Sequence, residues 1–375
     1  MPEARAQPAE VTIVAHDIGP IGGMELQLTE LIGGLVERGH VVNVIARRCD
    51  VSPHPRLRFI RVPGPSRPFA IAYPWFFLLG SLLVRLRARG VVHSTGAIVF
   101  NSVSICTVHF CHMAVARMTG FSRASKSGLA YRINEAVSRR LSRLGERWCY
   151  RPGRVSRLIG VSKGVERELR EHFPRMCPCI EVIPNGVDTG EFHPAPPRSA
   201  TAQELTAIFV GSEWERKGLG VAIEALAECP QVKLTVVGRG DTEGFRSLAE
   251  KLGAGDRVRF AGVSGDVATL YREADVLLLP TAYETFSLVT YEAAASGLPL
   301  LVTKVNGVED LLEDGRHGWF IDRDPDDVGK KLRDLLERPD DRRRMGLAAR
   351  VASESFSWDS VVDGYSRLYC EFAEG

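Results

Sequence analysis

Short runs of apolar, β-branched residues alternate with longer segments of helical spacing from one end of this chain to the other. The first run is VTIVAH (11–16), followed by MELQLTELIGGLVERGH (24–40), where apolar residues recur every three or four positions, and then VVNVIAR (41–47). Further strand-like runs are VVHST (91–95), SICTVHF (104–110), RLIGVS (157–162) and CIEVIP (179–184). The alternation resumes with LTAIFVG (205–211), VKLTVVG (232–238), RVRFAG (257–262), DVLLLP (275–280), LPLLVT (298–303) and HGWFI (317–321). Short apolar strands with helices between them imply parallel sheets covered on both faces, an α/β, doubly wound architecture.

The break is PNGVDTGEFHPAPPRSATAQE (184–204), rich in Pro, Gly and polar residues, which reads as a linker. It divides the chain into an N-terminal domain (1–190) and a C-terminal one (191–355). The last segment, FSWDSVVDGYSRLYCEF, has helical apolar spacing, and residues 356–375 are expected to pack back across the seam. A length of 375 residues, more than one core usually serves, fits two domains. Two doubly wound halves would leave a cleft at the C-terminal ends of their strands, where such sheets bind ligands.

Composition changes this picture little. A hydrophobic share of 45% and a charged share of 25% exclude a disordered or fibrous chain. The eight cysteines are scattered, and Cys177 and Cys179 lack a second pair at metal spacing, so a reducing compartment is expected. The start, MPEARAQPAEVTIVAH, has acids and prolines where a secretory signal would be apolar.

Charge is more informative. The net charge is only +2, yet residues 1–190 hold 26 Lys and Arg against 14 Asp and Glu, while 191–375 hold 22 against 32. Residues 123–157 alone carry ten basic residues against Glu135 and Glu146. Such a face suits anionic lipid headgroups or phosphorylated substrates, and equally a solvated helix surface. No zinc-finger or RNA-binding signature points to nucleic acid. The apolar stretch FAIAYPWFFLLGSLLV (69–84) falls short of the roughly twenty residues needed to span a bilayer. It is expected to form a buried helix, with a membrane-surface helix as the alternative that Arg85, Arg87 and Arg89 keep open.

Candidate chemistry sits at strand-to-helix junctions. In GPIGGME (19–25), Gly22 and Gly23 would let backbone amides approach a phosphate, although a plain tight turn needs the same residues. In FVGSEWERKGLGVAIEALA (209–227), Arg216 and Lys217 lie between a buried strand and a glycine-opened helix. RFAGVSGDVATLYREADVLLLPT (259–281) places Val263 after a strand. YETFSLVTYEA (283–293) carries Glu284 and Glu292, eight residues apart. A helix beginning near Ser287 would leave the amides of Leu288 and Val289 free, with Glu292 about one turn further in, roughly 6 Å by helix rise. VVGRGD (236–241) does not make a dinucleotide fingerprint, because Gly238, Gly240 and Gly244 miss the required spacing.

Together these stretches resemble the family-four retaining glycosyltransferases, whose GT-B fold has two facing Rossmann-like domains with a cleft between them. The resemblance implies a nucleotide-diphosphate-sugar donor whose diphosphate faces Arg216 and Lys217. It implies that the Leu288 and Val289 amides meet a phosphate or sugar oxygen, that Glu292 reaches the ribose hydroxyls and that Glu284 reaches the donor sugar. Backbone near Val263 would border the base, and residues 271–275 would belong to a packing helix. His109 matches a histidine often found near the reacting centre, with His93 and His112 as rivals. The resemblance also implies retained anomeric configuration, no metal or other cofactor, and a leaving phosphate that helps accept the acceptor's proton. Ser287 and Asn306 depart from the family, which commonly has glycine at both places.

The expected acceptor binds the N-terminal half and is polar or lipid-linked, in cell-envelope polysaccharide, lipopolysaccharide or glycolipid synthesis. The expected location is cytoplasmic, peripheral on the inner membrane face. A GT-B nucleotide-sugar epimerase and a non-catalytic nucleotide-sugar-binding subunit of a synthase are the alternatives.

Overall fold

A computed structural model describes residues 8–19, 22–115, 128–196 and 204–374. Arg123 and Lys126 of the basic segment, and residues 197–203 of the linker, lie outside the described residues, as do Pro20 and Ile21 of the glycine loop. The chain divides into one unit of residues 1–185 with 358–375, and a second of residues 186–357.

The first unit is built on a parallel sheet of β1 (Glu10–Val14), β2 (Val41–Ala46), β3 (Leu57–Arg61), β4 (Val91–Thr95), β5 (Val103–Val108), β6 (Val155–Gly160) and β7 (Ile180–Val182). Their spatial order is β3-β2-β1-β4-β5-β6-β7, so the chain winds outward from β1 in one direction and then from β4 in the other. Register is set by apolar pairs such as Ile13 beside Val44, with His93 on the other flank of Ile13. β1, β2, β4 and β5 are almost wholly buried, as their largely apolar runs suggest, and the polar residues within them, such as Thr12, Asn43 and His93, are buried too. β3, LRFIR, is the exposed edge, and its arginines suit a strand that must resist pairing with another chain.

The helices of this unit include α1 (Gly23–Glu37), α2 (Phe69–Arg87), α3 (Leu129–Cys149) and α4 (Lys163–His172). The side chain of Ser162 caps α4 by accepting from the Val165 N–H at 3.1 Å. α2 corrects the expectation of a buried helix. Ala72, Tyr73, Phe76, Phe77, Gly80 and Val84 are buried, whereas Ile71, Trp75, Leu78, Leu82 and Leu86 are exposed. A helix that is apolar all round has more apolar surface than one sheet and one neighbouring helix can cover.

The C-terminal helix, Trp358–Glu374, belongs to the first unit. Its Val361, Tyr365 and Tyr369 share a core with Leu31, Leu35 and Val44. Gly34 of α1 makes this packing close, since a Cβ there would stand 2.6 Å from Val362. Arg38 then clamps the outer edge by donating to Asp363 at 2.7 Å and to Asp359 at 3.0 Å. The division falls at residue 186 rather than 191 because Val187 donates its N–H to Phe356 O at 2.8 Å, tying the linker's first residues to the second unit.

The second unit repeats the winding with β8 (Leu205–Val210), β9 (Val232–Val237), β10 (Val258–Gly262), β11 (Val276–Leu279), β12 (Leu300–Thr303) and β13 (Gly318–Ile321). All are parallel, in the order β10-β9-β8-β11-β12-β13. The direction of winding reverses between β8 and β11. In open α/β sheets the carboxyl ends of the two strands at such a reversal, here β8 and β11, are where ligands bind.

Candidate functional site

Two loops meet at the carboxyl ends of β8 and β11. One leaves β8 at Gly211 and enters the short helix α5 (Trp214–Lys217), followed by α6 (Leu219–Ala227). The other leaves β11 at Pro280 and enters the helix Leu288–Ala295, which follows α7 (Thr242–Lys251) and α8 (Val267–Glu273) and is α9 here. Several glycines are demanded by close approach. Gly218 has φ +81°, and a Cβ on it would lie 2.1 Å from Pro280 O, which holds the two loops together. Gly238 and Gly240 serve packing as well. Their added Cβ atoms would meet Gly211 O at 2.1 Å and the Trp214 ring at 2.3 Å, so VVGRGD seats one loop on another.

Lys217 and Glu284 meet where these loops converge. Lys217 is buried, its stem lying against Gly211, and its Nζ donates to Glu284 Oε1 at 2.9 Å. The same oxygen accepts from Thr281 Oγ1 at 3.2 Å and from Arg216 Nη1 at 3.4 Å. Arg216 Nε donates to Glu213 at 2.7 Å, and its Nη1 also donates to Tyr283 O. The Ala282 N–H donates to Arg216 O at 2.9 Å. Two cations and two carboxylates, Glu284 and Glu213, are thus fixed together with the backbone carbonyl of Tyr283. With side-chain exposures of 10% for Lys217 and 12% for Glu284, the pair is largely desolvated, which strengthens the attraction and raises the cost of removing one partner.

α9 begins at Leu288, so the N–H groups of Leu288 and Val289 have no partner within the helix. Ser287 just ahead of it has φ +69° and ψ +62°, the left-handed region. Glycine adopts that conformation freely and serine does not, which gives a physical reason for the glycine common in the family. Ser287 is held there partly by a 2.8 Å hydrogen bond between its hydroxyl and that of Thr290. The turn is further fixed by Phe286 stacked on Tyr291, with ring centroids 4.1 Å apart, and by Tyr291 donating to Gly307 O at 2.7 Å. Gly307, beside the Asn306 departure, has φ +80° and leaves no room for a Cβ against Phe286.

Glu292 lies one turn into α9. Tyr271 of α8 donates its hydroxyl to Glu292 Oε2 at 3.0 Å and lies 3.2 Å from Val289 O. Loss of hydration raises the carboxyl pKa to about 7, against the lowering effect of the Tyr271 hydrogen bond. Sequence reasoning placed Tyr271 in a packing helix and missed this role. A tyrosine wholly out of solvent must find an acceptor for its hydroxyl, and that burial is visible only in the fold. Val263 stands just past β10 and is 68% exposed.

The remaining predicted residues lie in the first unit. Gly22 precedes α1 in an extended conformation open to any residue, and Gly23 is the first residue of the helix. Glu25, in the first helical turn, is close enough that a Cβ on Gly22 would stand 2.7 Å from its carboxylate. An acid at that place already complements the helix N-terminus. His109 follows β5; its Nε2 and Gln27 Oε1 are 3.1 Å apart, and burial lowers its pKa to about 4. His93 is a core residue, fully buried, with Nδ1 2.6 Å from the Tyr369 hydroxyl and Nε2 2.8 Å from Thr107. Both ring nitrogens are thereby occupied. His112 is likewise held neutral by burial, its pKa lowered to about 4. A hollow of 210 Å³ at the carboxyl ends of β1, β4 and β5 is lined by His16, Tyr73, His109, His112, Glu146 and Tyr150, among others.

Comparison with known proteins bears on both units. Residues 21–191 match the family model described as Glycosyltransferase Family 4, and residues 196–352 match that described as Glycosyl transferases group 1. A D-inositol 3-phosphate glycosyltransferase of Streptomyces scabiei (strain 87.22) is 32% identical over 239 residues, 57% of this chain and 54% of that protein. The match therefore spans about half the length of that relative, and 46% of a protein of the same name from Segniliparus rotundus. The D-inositol 3-phosphate glycosyltransferase of Corynebacterium jeikeium (strain K411) is 28% identical over 400 residues, covering 94% of this chain and 92% of its own. Among solved structures, WaaG, a glycosyltransferase involved in lipopolysaccharide biosynthesis, has a TM-score of 0.78 at 22% identity, over 96% of this chain and 99% of its own. Anabaena Alr3699/HepE in complex with UDP-glucose has a TM-score of 0.70 at 16% identity, over 96% of this chain and 98% of its own. With its two units matched in this way, the chain belongs to the group 1 glycosyl transferases of glycosyltransferase family four and has the GT-B fold.

Proposed function

We propose that the chain is a glycosyltransferase that moves a hexosyl unit from a nucleotide-diphosphate sugar to a hydroxyl of a polar acceptor, with retention at the anomeric carbon. The observation that carries this reading is the junction of Lys217, Arg216 and Glu284 at the topological switch point of the second sheet. Cations beside the free amides of a helix start form a receptor for a diphosphate, whose charge grows as the sugar leaves. The UDP-glucose named for the Anabaena structure supports a nucleotide sugar as donor.

In this reading Lys217 and Arg216 neutralise the leaving diphosphate, with the amides of Leu288 and Val289 as further donors. This assigns charge neutralisation to side chains and helix amides rather than to a metal ion. Glu292 accepts from the ribose hydroxyls, steadied by Tyr271. Glu284, with one oxygen engaged by Lys217, presents the other to a sugar hydroxyl. The leaving phosphate takes the acceptor's proton as the new glycosidic bond forms on the face from which it departs. The acceptor binds in the first unit, in the hollow lined by His16, His109 and His112, whose neutral imidazoles both donate to and accept from hydroxyls.

The test is a thermal-shift screen of nucleoside diphosphates and their sugars, followed by turnover assays with the matching donor. A rise in melting temperature with one nucleotide-sugar class and transfer to a hydroxyl acceptor are expected. Release of free sugar without a glycoside under any acceptor would favour epimerase chemistry. Stabilisation by no member of the panel would refute the donor site.

A further inference from the structure

Between Asp50 and Glu135 the chain carries no Asp or Glu, yet it holds eleven Lys and Arg. α2 lies inside this interval. Ile71, Trp75, Leu78, Leu82 and Leu86 follow one another at three- and four-residue steps, which places them along one side of the helix. Each is at least 50% exposed. Arg85 and Arg87 close the helix and Arg89 follows it. Large apolar side chains exposed in a continuous row mark an interaction surface.

The row has an aromatic and cationic border. Phe100, itself exposed, packs edge-on against Phe77 of α2, with ring centroids 4.3 Å apart, and contacts Trp148 of α3 at 6.3 Å. The guanidinium groups of Arg154 and Arg151 lie 4.7 Å and 5.6 Å from the Trp148 ring centre. α3, packed beside α2, adds Arg139, Arg140, Arg143 and Arg147. Its two acids do not oppose them freely: Glu135 pairs with Arg139 at 2.9 Å, and Glu146 is buried, accepting two backbone N–H bonds.

We infer that this face of the first unit docks on the surface of an anionic lipid bilayer, with α2 lying in the headgroup boundary. An apolar row takes up acyl chains, half-exposed tryptophans sit at headgroup depth, and arginines without free counter-acids meet lipid phosphates. Charge complementarity selects this occupant over a neutral or cationic one. α2 is long and apolar enough to cross a membrane by length and composition, but its inner side is committed to the unit. Tyr73 donates to Ala97 O at 2.5 Å, and Ser81 Oγ accepts from the Phe100 N–H at 2.7 Å. The helix therefore lies on the bilayer rather than through it. This inference stands apart from glycosyl transfer and needs no donor or acceptor.

The full chain is sedimented with vesicles of phosphatidylglycerol mixed into phosphatidylcholine and, in parallel, with phosphatidylcholine alone. Partition onto the anionic vesicles that weakens with salt is expected, with little onto the neutral ones. Leu78→Glu with Leu82→Glu, and separately Arg85→Gln with Arg87→Gln, should each lower the anionic partition coefficient by about tenfold or more. Unchanged melting temperatures of the variants show that they remain folded. Equal partition onto both vesicle types, no partition, or folded variants that bind like the parent would overturn the inference. So would a dimer in light scattering that Leu78→Glu with Leu82→Glu dissolves while the parent ignores vesicles, since a second copy would then cover the row.

Discussion

The phenol of Tyr271 donates to Oε2 of Glu292 at 3.0 Å, joining the helix ahead of β11 to the helix behind it. The hydrogen bond fixes the carboxyl in an environment that raises its pKa to about 7. Hydroxyls are held more strongly by a carboxylate than by its protonated form. Affinity for a nucleoside diphosphate is therefore expected to rise between pH 6 and 8. In Glu292→Gln the rise should flatten, and in Tyr271→Phe it should move to higher pH, because the lowering hydrogen bond is gone. Isothermal titration across that range measures all three. Stability runs the opposite way: a raised carboxyl pKa favours the folded state below the unfolded value and loses that contribution as pH rises through about 7.

Lys217 and Glu284 share a contact that the donor would have to enter, which makes their coupling measurable. Lys217→Ala removes a phosphate partner and leaves Glu284 with the longer Arg216 contact. Its nucleotide-diphosphate affinity should fall by about ten- to a hundredfold, the scale of a lost charged hydrogen bond. Glu284→Ala should lose turnover more than nucleotide affinity if its partner is the sugar. The double variant, compared with the two singles for stability, should show non-additivity of about 1 kcal/mol or more. Wild-type nucleotide affinity in Lys217→Ala would remove the basis of the donor reading.

The alternation of apolar runs made both sheets legible, because a strand buried on both faces is predominantly apolar, wholly so in VLLL of β11 and with few polar residues in VVNVIA of β2. β3 escaped for the same reason, since LRFIR puts arginines on an exposed edge and has no such run. Arg216, Lys217 and Glu284 could be placed just past the ends of strands, and Glu292 in the helix that follows, from the order of elements. What the sequence left open was which histidine belongs to the core. His93, His109 and His112 lie within twenty residues of one another, and Thr107 of the neighbouring strand together with Tyr365 and Tyr369 from the far end of the chain commit His93 to packing. Contacts of such separation leave no local pattern. The exposed side of α2 was obscured in a related way: an all-round apolar helix does not say which side the fold covers.

Gly218 offers a test of how the two loops are held. Its φ of +81° disfavours any side chain, and an added Cβ would stand 2.1 Å from Pro280 O. Gly218→Ala should destabilise the chain by about 2 kcal/mol or more through backbone strain and displacement of the β11 loop. Because Lys217 is adjacent and Glu284 lies on the displaced loop, nucleotide affinity should fall with it. Ser287→Gly, by contrast, releases left-handed strain while losing the Thr290 hydrogen bond, so its stability should stay within about 1 kcal/mol of the parent. Denaturant titration of both variants separates the two cases.

Glu146 supplies a pH signature for the first unit. Burial raises its pKa to about 8, even though the N–H groups of His112 and Met113 donate to its two oxygens at 2.7 Å and 3.0 Å and favour the charged form. The folded-state pKa therefore lies above the unfolded one. Its contribution to stability is complete below the unfolded carboxyl range and is lost as pH rises through about 8. The melting temperature of the parent should fall between pH 6 and 9 relative to Glu146→Gln, whose amide oxygen accepts one of the two N–H bonds and does not titrate. The variant should start lower at pH 6, having lost one backbone bond, and the gap should close towards pH 9. A constant gap across that range would mean that Glu146 is ionised in the fold throughout, held by those two amides against the cost of its burial.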